Sequence, residues 1–360
     1  MGAGTRSLFT VYCSRFSFSP VLDQPTPPNV LAVRFSSIGD VLLTTPLLRA
    51  IHHRYPAARI TVLTKQVYTP LLSHNPHVQR VIGVEPGRPL TSVAAELRAG
   101  QYTHRLDLHD SLRTRMLRTL VPGRWRTYPK HRVARALLIY AKRNRYRDRR
   151  PVAERYFSAA RDLDVAPDGK PPEFILGVEA EREASDWLGS ASLGQERRII
   201  AIAPGAAHAT KRWPVEHWRA LIRRLGTQGF DIAIVGGADD APIGAELSHR
   251  TNGRVVNAAG AFGLQGTGAL LRRSAALVSG DTGVMHMATG VGTPVVALFG
   301  PTVEPFGFFP YTNRASVLQV ALPCRPCSSK GGPRCPLGHH RCMIDIVPEM
   351  VYRTVCRFVT

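Results

Sequence analysis

VSGDTGVMHMATGVGTPVVALFGPT, residues 278–302, is the stretch that decides the fold. A short apolar run ends at Gly280, and Asp281, Thr282 and Gly283 form a turn. Val284–Thr289 then read as a short helix, and a second apolar run, Pro294–Gly300, again ends in small residues and a hydroxyl. Strand, small-residue turn, helix and strand is the order of a parallel sheet, because parallel neighbours need a crossover between them. Amides at such a turn point out of a helix N-terminus and, beside hydroxyls, make a nest suited to a diphosphate. His286, one turn further on, reads either as part of that site or as a satisfied helix histidine.

The same design extends toward the N-terminus. RIIAIAPG (Arg198–Gly205), a helix near Val215–Leu225, DIAIVGG (Asp231–Gly237), VVNAAG (Val255–Gly260), a helix over Thr267–Arg273 and AALVSG (Ala275–Gly280) alternate. Beyond a linker-like DVAPDGKPPEF (Asp164–Phe174), VLAVRF (Val30–Phe35) is followed by Leu43, Leu47, Leu48, Ile51 and Tyr55 at helical spacing, with Pro56 as the stop. RITVLT (Arg59–Thr64), VQRVIGV (Val78–Val84), a helix over Ser92–Arg98 and HRLDLH (His104–His109) complete that half. The expectation is an α/β chain of two Rossmann-like parallel-sheet domains facing a cleft, over 29–180 and 190–345. Residues 1–28 are expected to be a disordered extension, and a helix in 346–360 is expected to pack back on the first domain.

With 360 residues, 44% of them hydrophobic, the chain has enough apolar surface for two cores, which excludes wholesale disorder. No run approaches the roughly 18–20 apolar residues of a spanning helix. The first residues lack the apolar segment and cleavage site of a secretory signal, so the expected location is cytoplasmic.

Open parallel sheets bind ligands at the carboxyl ends of their strands. The first such loop, RFSSIGDVLLTTP (Arg34–Pro46), offers Ser36, Ser37 and Gly39 for close approach, with Asp40 at the start of the next helix. Asp40 reads as a helix cap or as a cleft carboxylate that accepts a proton from a hydroxyl. In APGAAHATKRWP (Ala203–Pro214), Gly205 supplies a backbone donor and Lys211 a point charge for a phosphate, or a solvated lysine. Asp239 or Asp240 of IVGGADD reads as a ligand for ribose hydroxyls or as a cap. GxxxxGK[ST] is absent, as is GxGxxG after the first strand, which argues against P-loop and dinucleotide enzymes.

RFSSIGDVLLTTPLLRAI, DLHDSLRTRML, PGAAHATKRWPVEHW, SGDTGVMHMATGVGTPVVALFGPT and CRPCSSKGGPRCPLGHHRCM together resemble the bacterial heptosyltransferases of glycosyltransferase family 9, from about Val30 to about Val351. The resemblance implies a GT-B fold and an inverting transfer of heptose from ADP-heptose to the inner core of lipopolysaccharide. It implies Asp40 as general base and Lys211, with the amides around Thr282 and Gly283, as holder of the diphosphate. Asp281 would contact the donor, His286 would support that loop, and Phe262 and Leu264 would pack on the nucleobase. Gly205 and Asp239 fall on the donor side; Ser36, Ser37, Gly39, Arg113, Arg115 and Arg118 fall on the acceptor side. Ala206-Ala207-His208 departs from relatives that carry hydroxyls there. No cofactor is expected.

Lys and Arg number 47 against 26 Asp and Glu, a net +21, and Leu112–Arg150 alone holds 14 basic residues against the single acid Asp148. Such a surplus points to an anionic partner. The preferred partners are the ADP-heptose donor, a lipopolysaccharide core/lipid A acceptor and the anionic inner face of the inner membrane, where the chain would be peripheral. No nucleic-acid-binding motif accompanies the charge. Two alternatives stand: a GT-B transferase using another nucleotide sugar or acceptor, and a non-catalytic nucleic-acid-binding protein that uses residues 112–150. Cys324, Cys327, Cys335 and Cys342, spaced C-x2-C-x7-C-x6-C, could close a structural zinc site, or remain free thiols or a redox pair.

Overall fold

The computed structural model describes residue 1 and residues 27–249, 251 and 254–359, so the expectation for 1–28 lies almost wholly outside the described residues. The first lobe runs β1 (Asn29–Val33), α1 (Ile38–Leu42), α2 (Thr45–Arg54), β2 (Arg59–Lys65), β3 (Arg80–Val84), α3 (Leu90–Ala99), β4 (His104–Asp107), α4 (Leu112–Leu120), β5 (Trp125–Thr127), α5 (Arg132–Tyr140) and α6 (Val152–Arg155). The second runs α7 (Val178–Ser190), β6 (Ile199–Ala203), α8 (Val215–Thr227), β7 (Asp231–Ile234), α9 (Ala241–Ser248), β8 (Val255–Asn257), α10 (Leu264–Arg272), β9 (Ala276–Gly280), α11 (Gly283–Gly290), β10 (Val295–Leu298), β11 (Ala315–Leu318), α12 (Arg341–Ile344) and α13 (Pro348–Val359).

Both sheets are parallel throughout. Their orders are β3-β2-β1-β4-β5 and β11-β10-β9-β6-β7-β8. The central strands are buried on both faces: Val30, Leu31, Ala32 and Val33 of β1 and all five residues of β6. That explains why these strands read as continuous apolar runs rather than alternating ones. Strand order reverses between β1 and β4 in one sheet and between β6 and β9 in the other, leaving a crevice at the carboxyl end of each pair. The loops at 34–37 and 108–111 border the first crevice; those at 204–214 and 281–282 border the second.

One apolar cluster runs through both lobes, joining Val41, Leu42 and Leu47 to Met285, Met287 and Phe299. The connecting stretch is fastened at several points. Arg49 holds Asp168 at 2.8 Å and Glu173 at 3.0 Å, the Glu173 amide donates to Thr45 Oγ1 at 2.8 Å, and the Phe174 amide donates to Gly290 O at 2.9 Å. A second tie comes from α6, where Val152 N donates to Gly307 O and the buried Arg155 donates to Pro305 O, both at 2.9 Å.

Two expectations need correction. α7 packs on α10 of the second lobe, so the boundary lies in the 164–177 stretch rather than between 180 and 190. Among the described residues α13 packs on the second lobe rather than on the first. Val351, Val355 and Val359 enter the second lobe's core beside Trp218 and Ile222, and Trp213 Nε1 donates to Ile346 O at 2.8 Å just before the helix. The apolar stripe of α13 finds its complement on α8, already beside it, and burying each such valine contributes about 1.5–3 kcal/mol.

Candidate active site

The two crevices meet where α1 and α11 touch end to end. A Cβ on Gly39 would lie 2.2 Å from His286 Cδ2, and one on Gly283 would lie 2.8 Å from Ile38 Cβ, so both glycines are needed for this approach. Asp40 is thereby set on one side of the contact and the Asp281–Gly283 turn on the other.

Asp40 is the third residue of α1. Its Oδ2 accepts from the Ser37 amide at 3.1 Å and the Ser37 hydroxyl at 3.0 Å, while Oδ1 pairs with the Arg34 guanidinium. Asp40 is therefore both the helix cap and a cleft carboxylate, since it remains 16% exposed. Burial alone would raise its pKa; the Arg34 charge and the Ser37 donors outweigh burial and hold it below the usual carboxylate range. Arg34 itself is fixed by three acceptors: Ser36 O at 2.8 Å, Leu108 O at 2.6 Å and Asp40. It lies over the Tyr156 ring at 5.9 Å, which packs edge-on to Tyr128.

Across the contact, Lys211 Nζ is 2.6 Å from Asp281 Oδ2 and donates to Asp281 O at 3.2 Å, while Thr302 Oγ1 donates to the same carboxylate at 2.7 Å. Thr282 stands at the N-terminal boundary of α11, and its hydroxyl is turned to Ser279 Oγ at 3.0 Å rather than to the helix amides. His286 is buried between these groups. Burial, reinforced by the Lys211 charge, pushes it below the usual histidine value despite Asp281 and Asp40, so the ring is neutral near pH 7. Its Nδ1 has no hydrogen-bond partner among the described residues.

Other expected residues stand apart from this constellation. Gly205 makes room for the Asp240 carboxylate, which would sit 1.8 Å from a Cβ there and accepts from Gly237 N at 3.0 Å. Asp240 is thus a cap and Asp239 is the exposed member of the pair. Phe262 packs edge-on to Trp187 at 5.5 Å, and Leu264 begins α10 half-buried against the core. Arg115 pairs with Asp110 at 3.1 Å and Arg118 with the buried Asp107 at 3.5 Å, whereas Arg113 lies over the Phe35 ring at 4.9 Å, beside Ser36. Of the three, Arg113 is the one that has no carboxylate partner among the described residues.

Of the readings open for the four cysteines, a structural zinc site is not supported. Among the described residues no group of three or more His, Cys, Asp or Glu side chains is placed to hold a metal ion, and Cys324, Cys327, Cys335 and Cys342 are free thiols. Burial, with the neighbouring thiols, pushes Cys342 up to about 11 and Cys327 upward, which keeps them protonated. The segment is held by other means. Arg325 donates to Phe299 O and Thr302 O, and Lys142 of the first lobe donates to Cys324 O at 2.9 Å and Pro326 O at 2.7 Å.

Four site residues escaped the sequence reading. Arg34, a charge inside the apolar run VLAVRF, carried the clearest signal. His109 is driven down to about 3 by burial, Arg34 and Lys130, and Lys130 down to about 8 by burial and Arg34. Tyr156 forms the floor under Arg34. These three come together through folding alone.

The sequence model of glycosyltransferase family 9 (heptosyltransferase) matches residues 90–336. The chain is 29% identical to lipooligosaccharide heptosyltransferase 2 of Haemophilus influenzae, across 89% of this chain and 96% of that protein. It is 28% identical to lipopolysaccharide heptosyltransferase 2 of Salmonella typhimurium, across 90% and 96%. The solved structure of Escherichia coli ADP-heptose LPS heptosyltransferase II superposes with a TM-score of 0.71 at 27% identity, covering 92% of this chain and 98% of that one. Two parallel sheets meeting at their switch points, with a carboxylate facing a lysine and helix-end amides, fit the transfer of a glycosyl group from a diphosphate, and the chain belongs to glycosyltransferase family 9.

Proposed function

We propose that the chain transfers heptose from ADP-heptose to the inner core of lipopolysaccharide, inverting the anomeric centre, and that it works peripherally at an anionic membrane face. The observation that carries this reading is the opposition of Asp40 to Lys211 and the Thr282–Gly283 turn across the α1–α11 contact. The names of the relatives supply the sugar and the acceptor.

The barrier lies in breaking the bond between the anomeric carbon and the diphosphate. In this reading the Lys211 ammonium and the α11 amides meet the charge that develops on the departing diphosphate, already oriented and mostly shielded from water. Asp281 and Thr302 fix where the ammonium stands before the donor arrives. Asp40 takes the proton of the acceptor hydroxyl on the opposite side of the sugar, which gives inversion. A carboxylate with a depressed pKa is a weak base. It suffices here because the hydroxyl becomes strongly acidic only as its oxygen bonds to the electron-poor anomeric carbon. Arg34, with its donors already committed to Ser36, Leu108 and Asp40, is the positioning residue for that carboxylate. On the acceptor side we place Ser36, Ser37, Gly39 and Arg113. On the donor side we place Lys211, Asp281, Thr282 and Gly283, with His286 as packing between the two halves.

The test is ADP release by purified protein with ADP-heptose and heptose-deficient lipopolysaccharide, with Asp40→Asn and Lys211→Ala in parallel and ADP binding by calorimetry. Acceptor-dependent release, lowered about 10²–10³-fold in Lys211→Ala and at least 10²-fold in Asp40→Asn, is expected. Asp40→Asn should still bind ADP. Wild-type ADP binding without release on any acceptor would sink the acceptor assignment, and absence of ADP binding would sink the donor.

A further inference from the structure

Five large apolar side chains stand exposed on two helices of the first lobe: Leu112 (76%) and Met116 on α4, and Val133 (76%), Leu137 and Tyr140 (85%) on α5. Within each helix they fall at i, i+4 or i, i+4, i+7, a single stripe. These stripes do not face the core. α4 buries Thr114 and Leu117, and α5 buries Leu138 and Ile139 against Tyr146 and Phe306 of the second lobe. Asp110 holds the two helix starts together, pairing with Arg115 at 3.1 Å and Arg132 at 2.6 Å, while Lys130 donates to its carbonyl at 3.2 Å. Asp110 thus ties the start of α4, where Leu112 stands, to the start of α5, where Val133 stands, just beyond β4, whose next residue Leu108 accepts from Arg34 of the Asp40 crevice.

The segment that follows α5 is rich in charge of one sign. Arg143, Arg145, Arg147 and Arg149, directly after α5, are exposed and have no ion pair among the described residues. Apolar groups clustered on a surface mark a partner, and unpaired guanidiniums beside them mark that partner as anionic. A second copy does not fit, since a two-fold contact would set the same arginines against each other. Nucleic acid fits less well, because four of the five apolar side chains, Leu112, Met116, Val133 and Leu137, are aliphatic and only Tyr140 offers a ring for stacking. A bilayer with anionic headgroups satisfies both features at one depth, with arginines at the phosphates and the apolar stripe at the acyl boundary.

We propose that the exposed α4–α5 stripe inserts shallowly into an anionic bilayer, with Arg143–Arg149 on the headgroups, so that the rim of the Asp40 crevice rests against the membrane surface. This rests on the reading that the acceptor is membrane-presented, and it adds which surface docks and how the crevice is oriented.

The full chain is tested by co-sedimentation with phosphatidylcholine vesicles, with and without about a third phosphatidylglycerol, at low and high salt. The wild type should bind the anionic vesicles at least about tenfold more tightly, with the difference shrinking in high salt. Leu112→Ser/Val133→Ser/Tyr140→Ser, whose positions are exposed and outside the reacting groups, should keep the wild-type melting temperature and lose about tenfold or more in vesicle affinity. Tyr140→Trp should be quenched by lipids brominated near the upper acyl chain, which adsorption by charge alone would not produce. Unchanged affinity in the triple variant, or vesicle binding without quenching, overturns the proposal. So does absence of vesicle binding by a protein that binds duplex DNA. Turnover on detergent-dispersed acceptor separates the two readings. Its loss in a wild type that still docks refutes the transferase reading alone, and its persistence in a triple variant that no longer docks supports the docking surface.

Discussion

Gly39→Ala tests whether the α1–α11 contact assembles the reacting groups. The added Cβ would lie 2.2, 2.9 and 3.0 Å from three atoms of the His286 ring, and ordinary contact begins near 3.4 Å. The two helix ends must therefore separate by about 1.2 Å or the ring must turn within a buried site. Overpacking of this kind costs about 1–3 kcal/mol. The clash exists only while the lobes are apposed, so the cost falls on that arrangement and not on the folding of either sheet. At about 1.4 kcal/mol per factor of ten, turnover should fall about 5- to 150-fold. ADP affinity should change little, because Lys211, Thr282 and Gly283 all belong to the second lobe. Steady-state turnover, calorimetric ADP binding and thermal unfolding on one preparation provide the assay. Gly39→Ala/His286→Ala, which removes the ring, should recover part of the loss. Wild-type turnover in Gly39→Ala would refute the claim that this contact sets the distance between base and leaving group. An equal fall in ADP affinity would show that the damage is not confined to apposition.

If Lys130 at the rim of the Arg34 crevice helps to hold an anionic acceptor, its charge, with a pKa lowered to about 8, is lost between pH 7 and pH 9 and the acceptor KM should rise over that range; Lys130→Arg should remove the rise, and an identical profile in that variant would refute a part for Lys130 in acceptor binding. Asp40, Asp110 and Asp168 all have folded-state pKa values below their ordinary ones, so their contribution to stability is complete above the normal carboxylate range and is lost as pH falls through the folded values. Asp148, lowered to about 2 by Arg150, extends that window downward, and melting temperature should fall steadily below about pH 4; a flat profile down to pH 2 would contradict these pairings. Arg155→Ala removes a buried side chain and strips donors from the carbonyls of Pro305 and Phe306, which should destabilise the fold by about 3 kcal/mol in urea unfolding; a loss under about 1 kcal/mol would show that the α6 tie is dispensable.

The two sheets were legible because a parallel strand buried on both faces needs an unbroken apolar run and its crossover needs an amphipathic one. Both are local properties of Val30–Val33, Ile199–Ala203 and Ala276–Gly280. The loops were legible for a related reason, since the order of strands and helices by itself puts the loops that carry Asp40, Lys211 and Asp281 at carboxyl strand ends. Three-residue β5 carried no such pattern and was missed, and β11 (Ala315–Leu318), half-buried at the sheet edge, gave an equally weak one.

What the sequence determined by itself is therefore the alternation of elements, the pair of sheets and the loops that line their crevices. Tertiary structure alone decided which side chains in those loops remain available. Arg115 and Arg118 are taken up by Asp110 and Asp107, Asp240 fills the space beside Gly205, Phe262 rests on Trp187, and α13 lies on α8. Each of these is a contact between residues that are distant in sequence or on different elements, fixed by burial and charge pairing in three dimensions. The spacing of residues along a strand or helix reports the face they share, and carries no information about the partner that folding brings to that face.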